Sequence, residues 1–302
     1  MNKFRTKFKI TFLISCMCFA TLFIFRVAVA NSDGTDSGAR KITLKVMTIN
    51  IRHNKDYWEE RFPLIADEIV RLKPDLIGLQ EVHISSNQSK ILIQLIKELS
   101  GGELTYEFYE HLKTGAYMMA GEGIAVFSRF PIEKTKTLDI DNGRVVIAAR
   151  IRVNDDLSVD FYNTHLHHMG GDEVRRPQAV KITGLEQKLD SGMITFLTGD
   201  MNAHDDSMTI KEYTDKGFID TFQNLYGDDT KSIGNTSSVI MTLKPLPQDF
   251  RNRIDYVFVK IPEAWQGRVA ATDSVVCFKN HDERGLYPSD HLGVMTTFDI
   301  QY

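Results

Sequence analysis

The sequence predicts an α/β fold in which two mixed β-sheets carry helices on their outer sides. Strand and helix patterns alternate near the start, strands joined by short turns follow in the middle, and two more strands lie near the C terminus. Alternation favours parallel pairing and short turns favour antiparallel hairpins, so the sheets should be mixed. With 302 residues, 42% hydrophobic and 25% charged, the chain can bury a large core.

The first thirty residues differ from the rest. Basic residues precede an apolar run from Ile10 to Phe25, and the small residues of "VAVA" end at Ala30. This pattern predicts a signal peptide over residues 1–30 and an exported protein, periplasmic or secreted. A lipoprotein site at Cys16 fits less well because few apolar residues precede it. A retained membrane anchor is a further alternative, although the run is short of the ~20 apolar residues of a span.

Charge and cysteine content limit the functions and the cross-links that are possible for the chain after residue 30. Five of the 36 basic residues and no acidic residue lie in positions 1–30, which leaves 31 basic against 40 acidic residues. Cys277 would then be the only cysteine, so no intramolecular disulfide can form. No basic stripe is present, which argues against phosphate-backbone binding, although a metal site can supply positive charge locally.

The first elements form a strand–helix–strand–helix series. Residues 31–40 are rich in Gly and Ser and predict a flexible lead-in, so one domain is expected over 41–302. The strand "ITLKVMTIN" is followed by a helical pattern that Pro74 stops. A second buried strand, "DLIGLQEV", precedes the amphipathic helix "SKILIQLIKELSGG".

The middle and the end are richer in strands. The segments "GEGIAVFSRFPI", "GRVVIAARIRV" and "LSVDFYNTHL" predict an antiparallel meander. A helix is expected from about Pro177 toward Leu189, because proline suits a first helical turn. The strand "MITFLTGDMN", a short helix near residues 210–216, and the strands "RIDYVFV" and "HLGVMTTFDI" complete the domain.

Polar residues recur where the predicted strands end. Any one of them could be a turn former, a cap or a surface ion pair. Their number favours a shared site, because sheet proteins hold catalytic groups at strand ends. Carboxylate and amide oxygens suit Mg²⁺, and phosphoester hydrolysis also needs a base, hydrogen-bond donors and an acid. The set is Asn50, Glu81, His165, Asp200, Asn202, Asp255, Asp290 and His291.

Seven motifs, in their order along the chain, resemble those of the endonuclease/exonuclease/phosphatase superfamily. They are "TINIR", "GLQEV", "GEGIAVFSRFPI", "NTHL", "LTGDMNA", "RIDYVFV" and "YPSDHLGV". Each motif alone is weak, but the series spans most of the chain. The resemblance implies a deoxyribonuclease-I-like four-layer sandwich, with two mixed β-sheets face to face and helices outside. It also implies a hydrolase that uses Mg²⁺, for which Mn²⁺ could substitute.

The resemblance implies roles residue by residue. Glu81 would be the principal metal ligand, with Asn50 beside it and Asp290 near the metal. Asp200 would orient or deprotonate the attacking water and Asn202 would donate to the phosphate. His291 would be held in one tautomer by Asp255, and His165 would bind the phosphate.

Two departures from the motifs of the apurinic endonucleases indicate which branch of the superfamily the chain resembles. Arg52 stands where apurinic endonucleases of the superfamily usually carry Asp, and His165 stands near a position where they tend to have Tyr. The chain therefore looks closer to sphingomyelinases, secreted nucleases and sugar- or inositol-phosphate phosphatases. Gly293 replaces a common proline in the last motif.

Other metal-site interpretations are less favoured. "THLHH" suggests a binuclear zinc hydrolase, but Met169 and Gly170 follow instead of Asp and His. "NHDE" with "GDMNAH" suggests a calcineurin-like phosphoesterase, but the early Asp-x-His of that class is absent. A binding protein that kept the fold and lost activity would show gaps in the acid, amide and imidazole set, and none is visible.

The predicted function is an exported Mg²⁺-dependent phosphoesterase, more specifically a phosphodiesterase acting by in-line attack of water. A secreted endonuclease acting on DNA or RNA is the alternative. The substrate could be a lipid head group, a phosphorylated sugar or inositol, or a nucleic acid, with no obligate protein partner and a monomeric state. Two segments, 106–122 and 232–251, are expected to border the site as loops and to decide the substrate.

Overall fold

The structure, a computed structural model, describes residues 40–185, 192–238 and 248–302. The predicted signal peptide and the lead-in up to residue 39 lie outside these ranges. None of the helices in the described parts of the chain has both the length and the apolar character needed to cross a membrane.

The first sheet has six strands in the order β13-β14-β1-β2-β4-β3. The β1–β2 pair is parallel, and the other pairs are antiparallel. Their bounds are β1 Lys41–Asn50, β2 Leu76–His83, β3 Glu107–Leu112, β4 Glu122–Ser128, β13 Arg268–Cys277 and β14 Gly293–Gln301.

The second sheet also has six strands, in the order β5-β6-β7-β8-β12-β9, with the β7–β8 pair parallel. Two further strands, β10 Ser237–Ser238 and β11 Phe250–Asn252, pair separately. The bounds of the six are β5 Ile132–Asp139, β6 Val145–Arg152, β7 Ser158–His165, β8 Thr195–Asp200, β9 Ile219–Asp220 and β12 Asp255–Lys260.

The four longest described helices cover the outer faces of the two sheets. The bounds of the helices are α1 Trp58–Leu72, α2 Gln88–Leu99, α3 Ala116–Met119, α4 Gly171–Thr183, α5 Met208–Asp215, α6 Thr221–Tyr226 and α7 Thr230–Ile233. One apolar cluster joins α1 and α2 to the first sheet, and another joins α4 and α5 to the second. A third cluster fills the space between the sheets. Because each element buries its apolar side, the predicted four-layer sandwich is confirmed.

Several predicted elements need correction. The segment 106–122 is not a loop throughout, since β3 and α3 lie within it. The meander is divided between two sheets, because β4 pairs with β2 and β3 whereas β6 pairs with β5 and β7. The helix expected from Pro177 begins at Gly171. Asp172, in its first turn, accepts hydrogen bonds from the backbone N–H groups of Met208 and Thr209, which fixes this earlier start.

A buried arginine ties two loops of the fold together. Arg61 on α1 is fully buried, and its guanidinium donates to the backbone carbonyls of Ile51, Lys55, Asp56 and Pro288 at 2.7 to 2.9 Å. These carbonyls belong to the loop after β1 and to the segment before β14. Arg61 therefore holds the two loops in register.

Arg61→Met should lower the free energy of unfolding by at least about 3 kcal/mol, because several buried carbonyls lose their donors. The exposed Arg71→Met, which loses only an ion pair with Glu68, should change it by no more than about 1 kcal/mol. Urea denaturation measures both. Equal effects of the two substitutions would contradict the structural role of Arg61.

Candidate active site

Strand register brings the polar strand ends together. On the parallel pair β1 and β2, Asn50 lies opposite Gln80. In the other sheet, Asp200 at the end of β8 lies between His165 on β7 and Asp255 on β12. Because the sheets pack face to face, the end of β1 reaches the end of β8. The site therefore lies at one edge of the sandwich.

An irregularity in β2 aims Glu81 into this edge. The pairing of β2 with β4 shifts between Leu79 and Val82, and Glu81 has a left-handed backbone with φ 54°. A bulge of this kind re-aims a side chain out of the strand's alternation. The Asn50 amide then donates to Glu81 Oε1 and to Asp200 Oδ2, each at 3.1 Å. Asn50 thus links a carboxylate of each sheet.

Asp200, Asp255 and His291 form a buried acid–acid–imidazole group. His291 Nδ1 lies 2.9 Å from Asp255 Oδ2, and His291 Nε2 lies 3.8 Å from Asp200 Oδ2. Burial and the neighbouring Asp255 raise the pKa of Asp200 to about 7, against the opposing effect of His291. Burial opposes charge on His291, but Asp255 and Asp200 outweigh it and raise its pKa well above the usual value. His291 is therefore a cation next to a basic carboxylate.

His165 is held in the opposite state. Its Nε2 lies 3.5 Å from Asp200 Oδ2, and its Nδ1 lies 3.0 Å from the Lys113 ammonium nitrogen. Burial and the positive charges of Lys113 and Arg144 lower the pKa of His165 well below its usual value. His165 is neutral at physiological pH. Asp200 consequently lies between a neutral and a charged imidazole.

Four further residues join the site that were not singled out from the sequence, although three of them lie in the segment 106–122 that was expected to border it. Lys113 contacts the carboxylate of Glu122, and Arg144 lies over the ring of Tyr117, 4.5 Å from its centroid. Arg144 is buried, and its Nε and Nη1 have no hydrogen-bond partner within the described residues. Lys113 directly follows β3, Glu122 begins β4, and Arg144 directly precedes β6. Tyr117 lies on α3.

Asn202 and Asp290 lie beside this group with partners of their own. The Asn202 backbone N–H donates to Asp200 Oδ1 at 2.9 Å, and its side-chain amide donates to the Leu166 carbonyl. The Asp290 carboxylate accepts from the Arg52 guanidinium. Arg52 therefore neutralises an acid near the site instead of adding one. The phosphate role of Asn202 and the metal role of Asp290 stay predictions.

The donor chemistry of the site fits a divalent cation. Two groups place one ligand atom from each member within 4.8 Å of the others, namely Glu81, Glu122 and His165, and Asp200, Asp255 and His291. Burial opposes ionisation of Glu81, but Lys113 and the Asn50 hydrogen bond outweigh it and lower its pKa. An ionised carboxylate with further oxygen donors nearby is what a hard cation requires. The residues could thus hold a metal ion.

The sequence of this edge matches a known family. The profile of the Endonuclease/Exonuclease/phosphatase family covers residues 47–291, which include every site residue named above. The chain belongs to this family. Members of this family are phosphoester hydrolases, and the resemblance drawn from the seven motifs is confirmed.

Solved structures share the fold. The human Nocturnin catalytic domain with bound sulfate aligns with a TM-score of 0.66 at 19% identity, over 87% of this chain and 97% of that chain. A mannosyl-6-phosphatase of Bacteroides thetaiotaomicron aligns at 0.62 and 20%, over 84% and 99%. D. rerio TDP2 with a single-strand DNA product aligns at 0.63 and 16%, over 85% and 98%. At these identities the likeness shows the deoxyribonuclease-I-like fold alone.

One curated protein is similar in sequence over a shorter region. The Caenorhabditis elegans "Putative neutral sphingomyelinase" is 31% identical over 107 residues, which is 31% of this chain and 22% of that protein. The matched region is thus less than a quarter of the length of that relative.

Proposed function

We propose that this protein is a Mg²⁺-dependent phosphodiesterase that hydrolyses its substrate by in-line attack of an activated water. The observation that carries the proposal is the placement of Asp200. Its carboxylate lies within 4 Å of the Asn50 amide, the His165 imidazole and the His291 imidazole. A buried base next to one charged and one neutral donor suits proton transfer beside a phosphate.

Each residue then has one chemical task. Asp200 accepts the proton of the attacking water. His291, held by Asp255, presents a positive charge to the phosphate oxygens, and Asn202 donates a hydrogen bond to them. His165, whose Nε2 lies 3.5 Å from Asp200 Oδ2, contacts the phosphate beside Asp200. Mg²⁺, with Glu81 as its principal ligand and Mn²⁺ as a substitute, would supply further neutralisation of the phosphate charge.

The test is hydrolysis of bis-p-nitrophenyl phosphate by purified residues 31–302. Turnover should require added Mg²⁺ or Mn²⁺, stop with EDTA and return when the metal is restored. Absence of turnover with every divalent ion tried would instead support a binding protein on the same fold.

Two observations favour a substrate with an apolar part. A groove of about 460 Å³ opens beside Lys113, and its lining includes Ile84, Leu112 and Met118. Met118 and Met119 are exposed, the latter by 89%. The local similarity to the C. elegans protein points in the same direction. We therefore propose a lipid phosphodiester as the substrate class, with sphingomyelin as the first compound to assay beside plasmid DNA, RNA and phosphorylated sugars or inositols.

Met118→Asp should raise the KM for sphingomyelin in detergent micelles by about 10-fold, because a charge replaces an apolar contact. The KM for bis-p-nitrophenyl phosphate should stay within about 2-fold of wild type, since that compound does not extend along the groove. Leu99→Asp is the matched control, because Leu99 is exposed at the far end of α2. Cleavage of DNA with no cleavage of sphingomyelin would favour the endonuclease alternative.

We also propose that the protein is exported, supported by the signal-like sequence of residues 1–30. N-terminal sequencing of protein from the periplasm or medium of an expressing bacterium should find a chain that begins at Asn31. Recovery of uncleaved protein from the cytosol alone would exclude this proposal.

A further inference from the structure

Lys113 occupies an unusual position for a lysine. Its side chain is 0% exposed, and its ammonium contacts the Glu122 carboxylate and lies 3.0 Å from His165 Nδ1. The ring of Tyr117 lies on another side, 5.3 Å from the ammonium nitrogen to the ring centroid. Burying a lysine this completely costs free energy unless its charge is paired. These contacts therefore hold the ammonium at one position.

The backbone fixes this arrangement from two directions. The Lys113 N–H donates to the Glu122 carbonyl at 2.9 Å, and the Thr114 N–H donates to the Gly143 carbonyl at 3.2 Å. The first bond extends the β3–β4 pairing by one residue, and the second ties the turn to the segment before β6. Because the backbone is tied both to the first residue of β4 and to the turn before β6, the lysine has little freedom to withdraw.

The acidic and imidazole groups around the Lys113 ammonium could form a metal site if the lysine were absent. Glu81, Glu122 and His165 each offer a ligand atom within 4.8 Å of the others. The Lys113 ammonium contacts two of the three and favours the ionised form of the third, Glu81. A divalent cation at this position would have to displace the ammonium or lie against it. A metal ion in contact with the ammonium would be strongly repelled, because both are cations and the site is shielded from bulk water.

The contact also decides which nitrogen of His165 carries the proton. An ammonium group has three donors and no acceptor, so the Nδ1 that faces it must accept. A neutral imidazole with an accepting Nδ1 carries its proton on Nε2. The Nε2–H of His165 then faces Asp200 Oδ2 and the space beside it. His165 is thus a hydrogen-bond donor toward the reacting phosphate through Nε2 and a hydrogen-bond acceptor from Lys113 through Nδ1.

We propose that the Lys113 ammonium stands in place of a second metal ion at Glu81, Glu122 and His165, next to the Mg²⁺ that Glu81 would hold with Asn50 and Asp290, and that it positions His165 as the Nε2–H tautomer. Lys113 is a positioning residue, because it acts on the phosphate through His165. The inference deepens the proposed function and rests on it for the phosphate, whereas the cation position and the tautomer rest on contacts alone.

Two measurements on the folded wild-type protein test the proposal without any turnover. Calorimetric titration with Mn²⁺ should give one ion per chain at the site, judged against Glu81→Gln, which should lose that ion. ¹⁵N NMR of the metal-free protein should show His165 with an unprotonated Nδ1 and a protonated Nε2, with the signal assigned by its loss in His165→Gln. Two Mn²⁺ ions lost together in Glu81→Gln, or a protonated Nδ1, would overturn the proposal.

Lys113→Met removes the charge and keeps the length of the side chain, and exposed Lys97→Met is its control. Lys113→Met should gain a second Mn²⁺ in the titration and populate both His165 tautomers. Its kcat should fall by about 10-fold or more and recover partly at Mn²⁺ concentrations that already saturate wild type. A merely structural lysine would give neither the extra ion nor the recovery, and that result would overturn the proposal. If Lys113→Met fails to fold, the two wild-type measurements still decide.

Discussion

Asp200→Asn should lower kcat by at least about 10²-fold, because the amide cannot accept the proton of the attacking water. The substitution keeps the shape of the side chain. It forfeits part of the hydrogen bonding with Asn50 and Asn202, but it also removes the repulsion between two buried carboxylates, Asp200 and Asp255. The melting temperature should therefore stay within about 5 °C of wild type. Kinetics with bis-p-nitrophenyl phosphate and thermal denaturation measure the two quantities.

Asp206→Asn is the matched control, since Asp206 is exposed on the loop that follows β8. It should retain wild-type turnover within about 2-fold, because an exposed carboxylate outside the site contributes little. Near-normal turnover in Asp200→Asn would exclude Asp200 as the base.

The pH dependence of wild-type turnover also tests the assignment of Asp200 as the base. Asp200 must be ionised to act as a base, and burial together with Asp255 raises its pKa to about 7. A raised carboxyl pKa means that the ionised fraction grows as the pH rises toward 7 and is lost as it falls. A bound cation would lower this raised pKa, so the acidic limb of kcat/KM should lie at or below about pH 7. Asp200→Asn should lack this limb.

His291→Ala should also lower kcat by at least about 10²-fold, because the site loses the cation that faces the phosphate. The comparison with Asp255→Asn makes the result specific. Within the described residues, the side-chain partner of Asp255 Oδ2 is His291 Nδ1, at 2.9 Å, so the catalytic effect of Asp255 should pass through His291. The double variant His291→Ala, Asp255→Asn should then be no slower than His291→Ala alone.

Additive losses in that double variant would contradict a role of Asp255 through His291. A fully active His291→Ala would contradict the assignment of His291 itself. His281→Ala is the matched control, because His281 is exposed and outside the site, and it should leave kcat unchanged within about 2-fold.

Much of the fold follows from local patterns. The alternation in β1, the apolar face of α1 and the buried run of β2 each place apolar side chains on the side that is buried in the core. The corrected elements are those with weak patterns. β3 is an edge strand that is mostly half-buried, so it lacks the contrast between apolar and polar sides that identifies β1. The start of α4 depends on Asp172 contacting α5, which is a contact between distant segments.

The sequence by itself determined the two-sheet α/β class and the strand-end residues, including Asn50, Glu81, Asp200 and His291. Strand periodicity and motif order are local properties, and a residue at the end of a buried strand can be recognised as such. Only the tertiary structure decided that Lys113 and Arg144 join the site, that Arg52 pairs with Asp290, and that the pKa of His165 is lowered whereas that of His291 is raised. These facts depend on distances between segments and on burial, and both arise only when the two sheets pack against each other.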